Sequence, residues 1–145
     1  MEVICQCGLV SFQTPAPAPL RLYHCHCTEC QKQSGSAYGT SAVFATEGIF
    51  PLSDDLIAQL SVFTRPTKQG RTMDCYFCKT CGVRIMHRVR EADGQGRNTL
   101  IIKGGVLQGL SYKGAEHIYT RSAVVEIPVG VERWETSPEP ESSRK

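Results

Sequence analysis

The chain of 145 residues is the size of one domain, and its 21% charged and 41% hydrophobic residues are ordinary for a globular protein. The net charge is +2, with Lys and Arg scattered, so we expect no nucleic acid as a partner. No apolar run approaches the roughly 18 residues of a membrane span, and no secretory signal opens the sequence. We therefore expect no membrane association and a cytoplasmic protein that could also reach the nucleus by diffusion.

Short apolar or β-branched runs bounded by Gly, Pro, Ser or Asp predict strands through most of the chain. In chain order they cover residues 9–12, 20–24, 39–45, 60–64, 71–77, 83–89 and 98–103. A hairpin-like loop is predicted over residues 91–96, and a short helix from Thr28, with Thr28 as N-cap and Glu29 in its first turn. We predict a mainly β, antiparallel single domain over residues 1–136, followed by a Pro-rich disordered tail over residues 137–145.

Seven of the eight cysteines fall into three close clusters. They are Cys5 and Cys7, then Cys25, Cys27 and Cys30, then Cys78 and Cys81. A disulfide framework fits poorly, because these spacings are too short for ordinary structural bridges and nothing indicates secretion. In a reducing compartment such thiols are more often metal ligands or catalytic groups than disulfides. Seven thiolates divide into a closed four-thiolate zinc site, which is structural, and an open three-thiolate site, which is catalytic.

The glycines decide which pairs form the closed site. Gly8 follows Cys7 and Gly82 follows Cys81, and a zinc knuckle needs a tight turn directly after its second cysteine. The predicted structural site therefore consists of Cys5, Cys7, Cys78 and Cys81. The alternative, four ordinary buried thiols, is less consistent with two such pairs.

The remaining cluster, Cys25, Cys27 and Cys30, lacks a following glycine. Strand alternation places Cys25 and Cys27 on one side, and Cys30 would lie in the first helical turn. Three thiolates leave one zinc position open unless a protein group fills it. His24 and His26 project to the other side and are more typical of surface or core histidines. Cys75 fits a buried core thiol, but it would close the second site if it joined it.

The cysteine order resembles that of a known family. Cys-x-Cys-Gly, then His-Cys-His-Cys-x-x-Cys-x-x-x-Ser-Gly-Ser, then Phe-Cys-x-x-Cys-Gly, is similar to the glutathione-dependent formaldehyde-activating enzymes, a family that includes centromere protein V. The resemblance spans residues 3 to about 120 and ends in a His-Ile-aromatic element at His117. It implies a β-tent fold built around zinc knuckles, two zinc ions per chain in the two sites above, glutathione as co-substrate, and carbon–sulfur lyase chemistry.

Two departures from the family pattern bear on the substrate. Gln108 stands where the family often has an acidic residue, and residues 120–128 replace a basic segment that usually ends in Trp. The only Trp here is Trp134. Both departures lie outside the metal motifs, so they affect the identity of the electrophile and not the zinc.

Candidate proton carriers near the second site are His24, His26, Tyr38 and His117, since imidazole has a suitable pKa. Substrate contacts are predicted at Ser34, Gly35, Ser36 and Tyr38, although a Ser-Gly-Ser is usually only a turn.

The sequence favours an enzyme that makes or breaks a carbon–sulfur bond in a thiol adduct such as S-hydroxymethylglutathione. The alternative is a non-catalytic zinc module that binds protein or chromatin, but such a module would be favoured by a long basic or Pro-rich arm, which this sequence lacks. A third hypothesis is a zinc-buffering or redox-sensing protein that uses Cys25, Cys27 and Cys30 as reactive thiols.

Overall fold

The computed structural model describes residues 1–138, so most of the predicted disordered tail lies outside the described residues. The described chain contains nine strands and two α-helices. In chain order they are β1 (Glu2–Ile4), β2 (Ser11–Gln13), β3 (Arg21–Cys25), α1 (Thr28–Ser34), β4 (Gly39–Ala45), α2 (Asp54–Gln59), β5 (Leu60–Pro66), β6 (Thr72–Cys78), β7 (Arg84–Arg90), β8 (Thr99–Lys103) and β9 (Glu116–Ile118). The prediction of a mainly β, largely antiparallel fold with short helices is confirmed.

The described residues form two compact units. The first unit contains Met1–Arg21 and Ala42–Ser111, and the second contains Leu22–Ser41 and the chain from Tyr112 onward. The end of the predicted domain at residue 136 stays a prediction. Within residues 1–138, no helix combines the length and the apolar character that a membrane span needs.

The first unit is built on the antiparallel strands β5, β6, β7 and β8, which lie side by side in that order. Its core contains the fully buried side chains of Phe44, Ile85, Met86, Leu100 and Ile102. Leu100 and Ile102 occupy alternate positions of β8, whereas the adjacent residues Ile85 and Met86 are both buried in β7, so both faces of β7 are covered. The predicted loop over residues 91–96 is a turn, in which the Glu91 N–H donates to the Gln95 carbonyl at 2.8 Å.

A short hairpin of β1 and β2 carries the first cysteine pair in the same unit. Val3 pairs with Phe12 across the hairpin and forms an isolated bridge to Leu107. The Gln108 N–H also donates to the Glu2 carbonyl at 2.9 Å. These contacts hold the start of the chain in place directly before Cys5.

The second unit is organised by the parallel pairing of β3 with β9. Tyr23 lies opposite Glu116, His24 opposite His117, and Cys25 opposite Ile118. Parallel strands need a long connection, and here about 90 residues separate the two strands. The pairing brings the second cysteine cluster and the late His-Ile-aromatic element together.

Helix α1 begins one residue earlier than the sequence indicates. The N-cap is Cys27 and not Thr28, because the Cys27 Sγ accepts a hydrogen bond from the Cys30 N–H at 3.4 Å. A sulfur atom thus takes the capping role expected of the Thr28 hydroxyl. The cap fixes the positions of both cysteines relative to the helix.

Candidate functional site

Two tight turns bring Cys5, Cys7, Cys78 and Cys81 together. In the first, the Gly8 N–H donates to the Cys5 carbonyl at 3.0 Å, and in the second the Gly82 N–H donates to the Cys78 carbonyl at 2.9 Å. Gly8 has φ 78° and Gly82 has φ 73°, in the region where a Cβ atom is unfavourable. The two turns are local repeats of one structure, as the glycine pattern predicts.

The four sulfur atoms of this group lie within 4.8 Å of one another. The Sγ atoms of Cys5 and Cys7 are 3.5 Å apart, and those of Cys7 and Cys78 are 3.7 Å apart. A tetrahedral zinc site with Zn–S bonds of about 2.3 Å has sulfur–sulfur distances of about 3.8 Å. The geometry therefore fits zinc, and an all-thiolate donor set favours it over calcium or magnesium.

Backbone donors stabilise the thiolate form of this first group. The Val10 N–H donates to the Cys5 Sγ at 3.3 Å. The Val83 N–H is the main reason that the pKa of Cys81 is lowered, to about 6. Such N–H···S bonds offset part of the negative charge that four thiolates bring to one dication.

Cys25, Cys27 and Cys30 form the second group, with all three sulfur atoms within 4.8 Å of one another. Cys25 ends β3, Cys27 caps α1 and Cys30 lies in the first helical turn. Hydrogen bonds from Cys25 and Cys30 lower the pKa of the Cys27 thiol to about 2, while hydrogen bonds with Cys27 and Cys30 raise the pKa of Cys25. The group therefore holds a stabilised thiolate that a cation can bind, with release of the remaining protons.

Among residues 1–138, no histidine, acid or further cysteine completes the second group as a fourth ligand. Cys75 belongs to neither group. It is fully buried on β6 and its Sγ lies 3.9 Å from the Met73 carbonyl oxygen. Both cysteine groups could hold zinc, and only the second has three thiolates, the arrangement that leaves a coordination position for another molecule.

Two histidines of the segment that carries the second group pack against two further rings. His24 and His26 both lie beside Tyr38, with ring centroids 4.9 and 5.1 Å away, and both lie beside His117, at 5.0 and 5.1 Å. We call His24, His26, His117 and Tyr38 the ring cluster. It gathers the four predicted proton carriers, and the strand alternation that separates His24 and His26 from the cysteines explains why neither is in the metal group.

His26 and His117 are joined by a hydrogen bond. The distance from His26 Nε2 to His117 Nδ1 is 2.9 Å, and His26 is fully buried. The Nδ1 atom of His26 has no hydrogen-bond partner among the described residues. Burial lowers the pKa of His24, His26 and His117, so all three are neutral near pH 7. A neutral, hydrogen-bonded imidazole pair can accept a proton at one ring and release one at the other.

The comparison with known families agrees with this geometry. The family profile of the glutathione-dependent formaldehyde-activating enzyme matches residues 1–122. The chain belongs to this family. A comparison with curated proteins finds no significant match. Membership in the glutathione-dependent formaldehyde-activating family indicates a glutathione-related activity, and the two thiolate groups give that activity a place for zinc.

The Ser34-Gly35-Ser36 segment ends α1 and uses its donors internally. The Ser34 hydroxyl donates to the Cys30 carbonyl at 2.7 Å, and the Ser36 N–H donates to the Gln31 carbonyl at 3.3 Å. Gly35 is the C-cap, and its N–H also points back to the helix. The three residues form the turn that ends α1, and the substrate contact predicted for them stays a prediction. Of the predicted substrate contacts, only Tyr38 lies in the ring cluster.

Tyr119 and Trp134 are site residues that sequence reasoning missed. Both pack against the buried cluster of Cys25, Cys30 and Ile118. Tyr119 has φ 57°, which is strained for a bulky side chain and is typical of functional sites. The Trp134 indole N–H donates to a Glu116 carboxylate oxygen at 3.0 Å. The single Trp, which the sequence marked only as a departure, was the available signal for this wall.

Proposed function

We propose that the protein catalyses the formation or cleavage of a carbon–sulfur bond in a glutathione adduct, with S-hydroxymethylglutathione as the reference substrate. The observation that carries the proposal is the convergence of three thiolate ligands, Cys25, Cys27 and Cys30, without a fourth among residues 1–138. Membership of the family indicates that glutathione is the thiol. The ring cluster contains groups that can move a proton.

The bond changes in this reaction balance without a redox partner. The thiol sulfur attacks the carbonyl carbon, the carbonyl π electrons move to oxygen, and that oxygen gains the proton that the thiol loses. A zinc ion on Cys25, Cys27 and Cys30 would supply a Lewis acid and would favour the thiolate form of a bound thiol.

The chain's own residues would carry the proton. Either His26 or His117 donates in their shared hydrogen bond, so the tautomers of the two rings are coupled. His26 Nδ1 is a buried ring atom without a partner among the described residues, so a thiol or hydroxyl group of the substrate would satisfy it only when binding opens the surrounding packing. We therefore place proton transfer at His26 Nδ1, with His117 as the group that sets the tautomer of His26.

The remaining residues would exclude water and orient the adduct. Ile118, Tyr119 and Trp134 form an apolar wall against the cysteines. A dry wall strengthens every electrostatic interaction at the reacting atoms. Tyr38 contributes a phenol beside both His24 and His26, where it could hold the adduct oxygen.

The test is NMR exchange spectroscopy on glutathione and formaldehyde, with larger aldehydes and epoxides as further electrophiles. The zinc-loaded wild type should accelerate exchange with at least one electrophile, and Cys30→Ser should abolish the acceleration. Cys75→Ser is the matched control, because Cys75 is a buried cysteine outside both groups. Glutathione binding that survives loss of the second zinc, without acceleration for any electrophile, would instead indicate the non-catalytic zinc module.

A further inference from the structure

A shallow, open cavity lies in the first unit, lined by residues that belong to neither cysteine group. It is a cavity of about 630 Å³ whose apolar lining includes Phe50, Leu52 and Ile57. Its polar lining consists of Thr46, Tyr76 and Arg88. This volume falls in the range of small-molecule sites, which are typically apolar with a few polar groups that orient the ligand. Neither the zinc chemistry nor the ring cluster makes use of it.

Arg88 is held rigidly on the wall of this cavity. Its guanidinium lies over the Phe50 ring, 4.4 Å from the centroid, and its Nε donates to the Arg97 carbonyl at 2.9 Å. On another side it contacts Gly96 so closely that a Cβ there would lie 2.5 Å from the Arg88 Cζ. An arginine fixed in this way has already lost its rotamer entropy, so less is lost when it binds a ligand.

The charge of Arg88 is not neutralised by an acid. Asp74 lies opposite Arg88 in the register of β6 and β7, but its carboxylate binds Arg90 at 2.7 Å and accepts from the Thr64 hydroxyl at 2.7 Å. No ion pair involves Arg88 within residues 1–138. Two arginines therefore face one carboxylate on this part of the sheet, which leaves a net positive charge.

Tyr76 adds a hydroxyl next to this charge. Its ring packs edge-on against Phe50, with centroids 5.9 Å apart. Its phenol lines the cavity and carries an O–H that can donate a hydrogen bond. The guanidinium and the phenol thus present donors to one apolar cavity, and the donors suit an anion.

We infer that this cavity binds a small organic carboxylate with an apolar body, with Arg88 and Tyr76 on the carboxylate and the Phe50, Leu52 and Ile57 side chains around the body. The site is independent of the carbon–sulfur chemistry.

The test is a titration of the ¹⁵N-labelled, zinc-loaded full chain with hexanoate, followed through the Gly96 amide and the Arg88 Nε–H. Hexanamide has the same body without the charge, and inorganic phosphate has charge without the body. We expect hexanoate to bind, and Arg88→Gln to weaken its binding at least about tenfold, as for loss of a hydrogen bond to a charged group.

Gly96→Ala is the second variant, because it keeps Arg88 but displaces its guanidinium. It should weaken hexanoate binding to a similar degree. Gly105→Ala is its matched control, since a Cβ at Gly105 meets nothing within 4 Å. Equal binding of hexanamide and hexanoate, binding of phosphate as tight as hexanoate, or unchanged binding in both Arg88→Gln and Gly96→Ala would overturn the inference. The dispersion of amide signals in the ¹⁵N spectrum of each variant serves as the check that it is folded.

Discussion

His26 Nε2 and His117 Nδ1 lie 2.9 Å apart, although the two residues are 91 positions apart in the chain. The parallel register of β3 and β9 explains this contact. It sets His24 opposite His117 and Cys25 opposite Ile118, and His26 directly follows these paired residues. His26 lies between Cys25 and Cys27 of the second group. The hydrogen bond thus connects the candidate metal site to the last element that the family profile covers.

Loss of this hydrogen bond should reduce the rate and not the zinc content. We expect His117→Ala to slow exchange by up to about a hundredfold, because His26 loses the partner that sets its tautomer for proton transfer, with two zinc ions retained per chain. Thr40→Val is the control, because Thr40 bonds only His24 in the ring cluster, at 3.1 Å. The measurements are NMR exchange and elemental analysis. A His117→Ala variant with the rate of the wild type would exclude His117 from the mechanism.

The two cysteine groups should differ in their effect on stability. Cys81→Ser removes a ligand of the closed group and should destabilise the fold by about 4 kcal/mol or more, as expected for loss of a structural metal. Cys30→Ser should cost only about 1 kcal/mol while it removes activity and one zinc ion. Denaturant unfolding at fixed zinc concentration measures both, with Cys75→Ser as the control for the loss of a buried thiol.

Equal destabilisation by Cys30→Ser and Cys81→Ser would mean that both groups are structural. A single zinc ion in the wild type would mean that the second group holds no zinc. Either outcome would mean that the chain has the fold of its family but does not use the second group for the proposed carbon–sulfur chemistry.

Much of the first unit could be predicted from the sequence because its strands are long and carry a clear pattern. The predicted residues 39–45 and 98–103 match β4 and β8 to within a residue, and the two glycines after Cys7 and Cys81 indicated the paired turns. These features depend on local chemistry. A positive φ after a cysteine needs glycine wherever the rest of the chain goes.

The second unit depends on contacts that are distant in sequence, and the prediction was weaker there. Strand β9 has three residues, too few to show a period of two. Cys27 rather than Thr28 caps α1, because its sulfur already faces the helix end as part of the cysteine group. The ring cluster and the apolar wall of Ile118, Tyr119 and Trp134 depend on the pairing of β3 with β9, and no local pattern in the sequence encodes that pairing.

An ion-pair cluster in the first unit should make stability depend on acid pH. The Arg97 and Arg71 side chains hydrogen-bond the Glu91 carboxylate and lower its pKa from the ordinary value of about 4.3. A lowered pKa means that the stabilisation is present above the unfolded-state pKa and is lost as the pH falls through the folded-state pKa. The wild type should therefore be more stable than Glu91→Gln at pH 7, with a difference that shrinks below about pH 4.3.

Denaturant unfolding of both proteins across this pH range measures the difference, and the zinc contribution cancels because both proteins carry the same cysteines. Glu47→Gln is the control, since Glu47 is an exposed acid of the same unit without an ion pair among the described residues. A difference between wild type and Glu91→Gln that stays constant with pH would show that Glu91 acts through packing alone.

The strained backbone of Tyr119 yields the last prediction. Its φ of 57° is held by hydrogen bonds from its N–H to the Thr136 carbonyl at 3.1 Å and from the Ser122 N–H to its carbonyl at 3.0 Å. Glycine adopts this conformation freely, whereas alanine does not. Tyr119→Gly should therefore be more stable than Tyr119→Ala by about 1 kcal/mol, the reverse of the usual order of these residues in regular structure.

Both variants also remove the ring that packs against Cys25 and Cys30, so both should release the second zinc ion to a chelator faster than the wild type. Tyr119→Phe keeps the ring and should release zinc at the wild-type rate. Unfolding by denaturant and stopped-flow chelator competition measure the two effects. Equal stability of the Gly and Ala variants would show that Tyr119 is unstrained. Equal release from the Gly and Phe variants would show that the ring does not shield the cysteines.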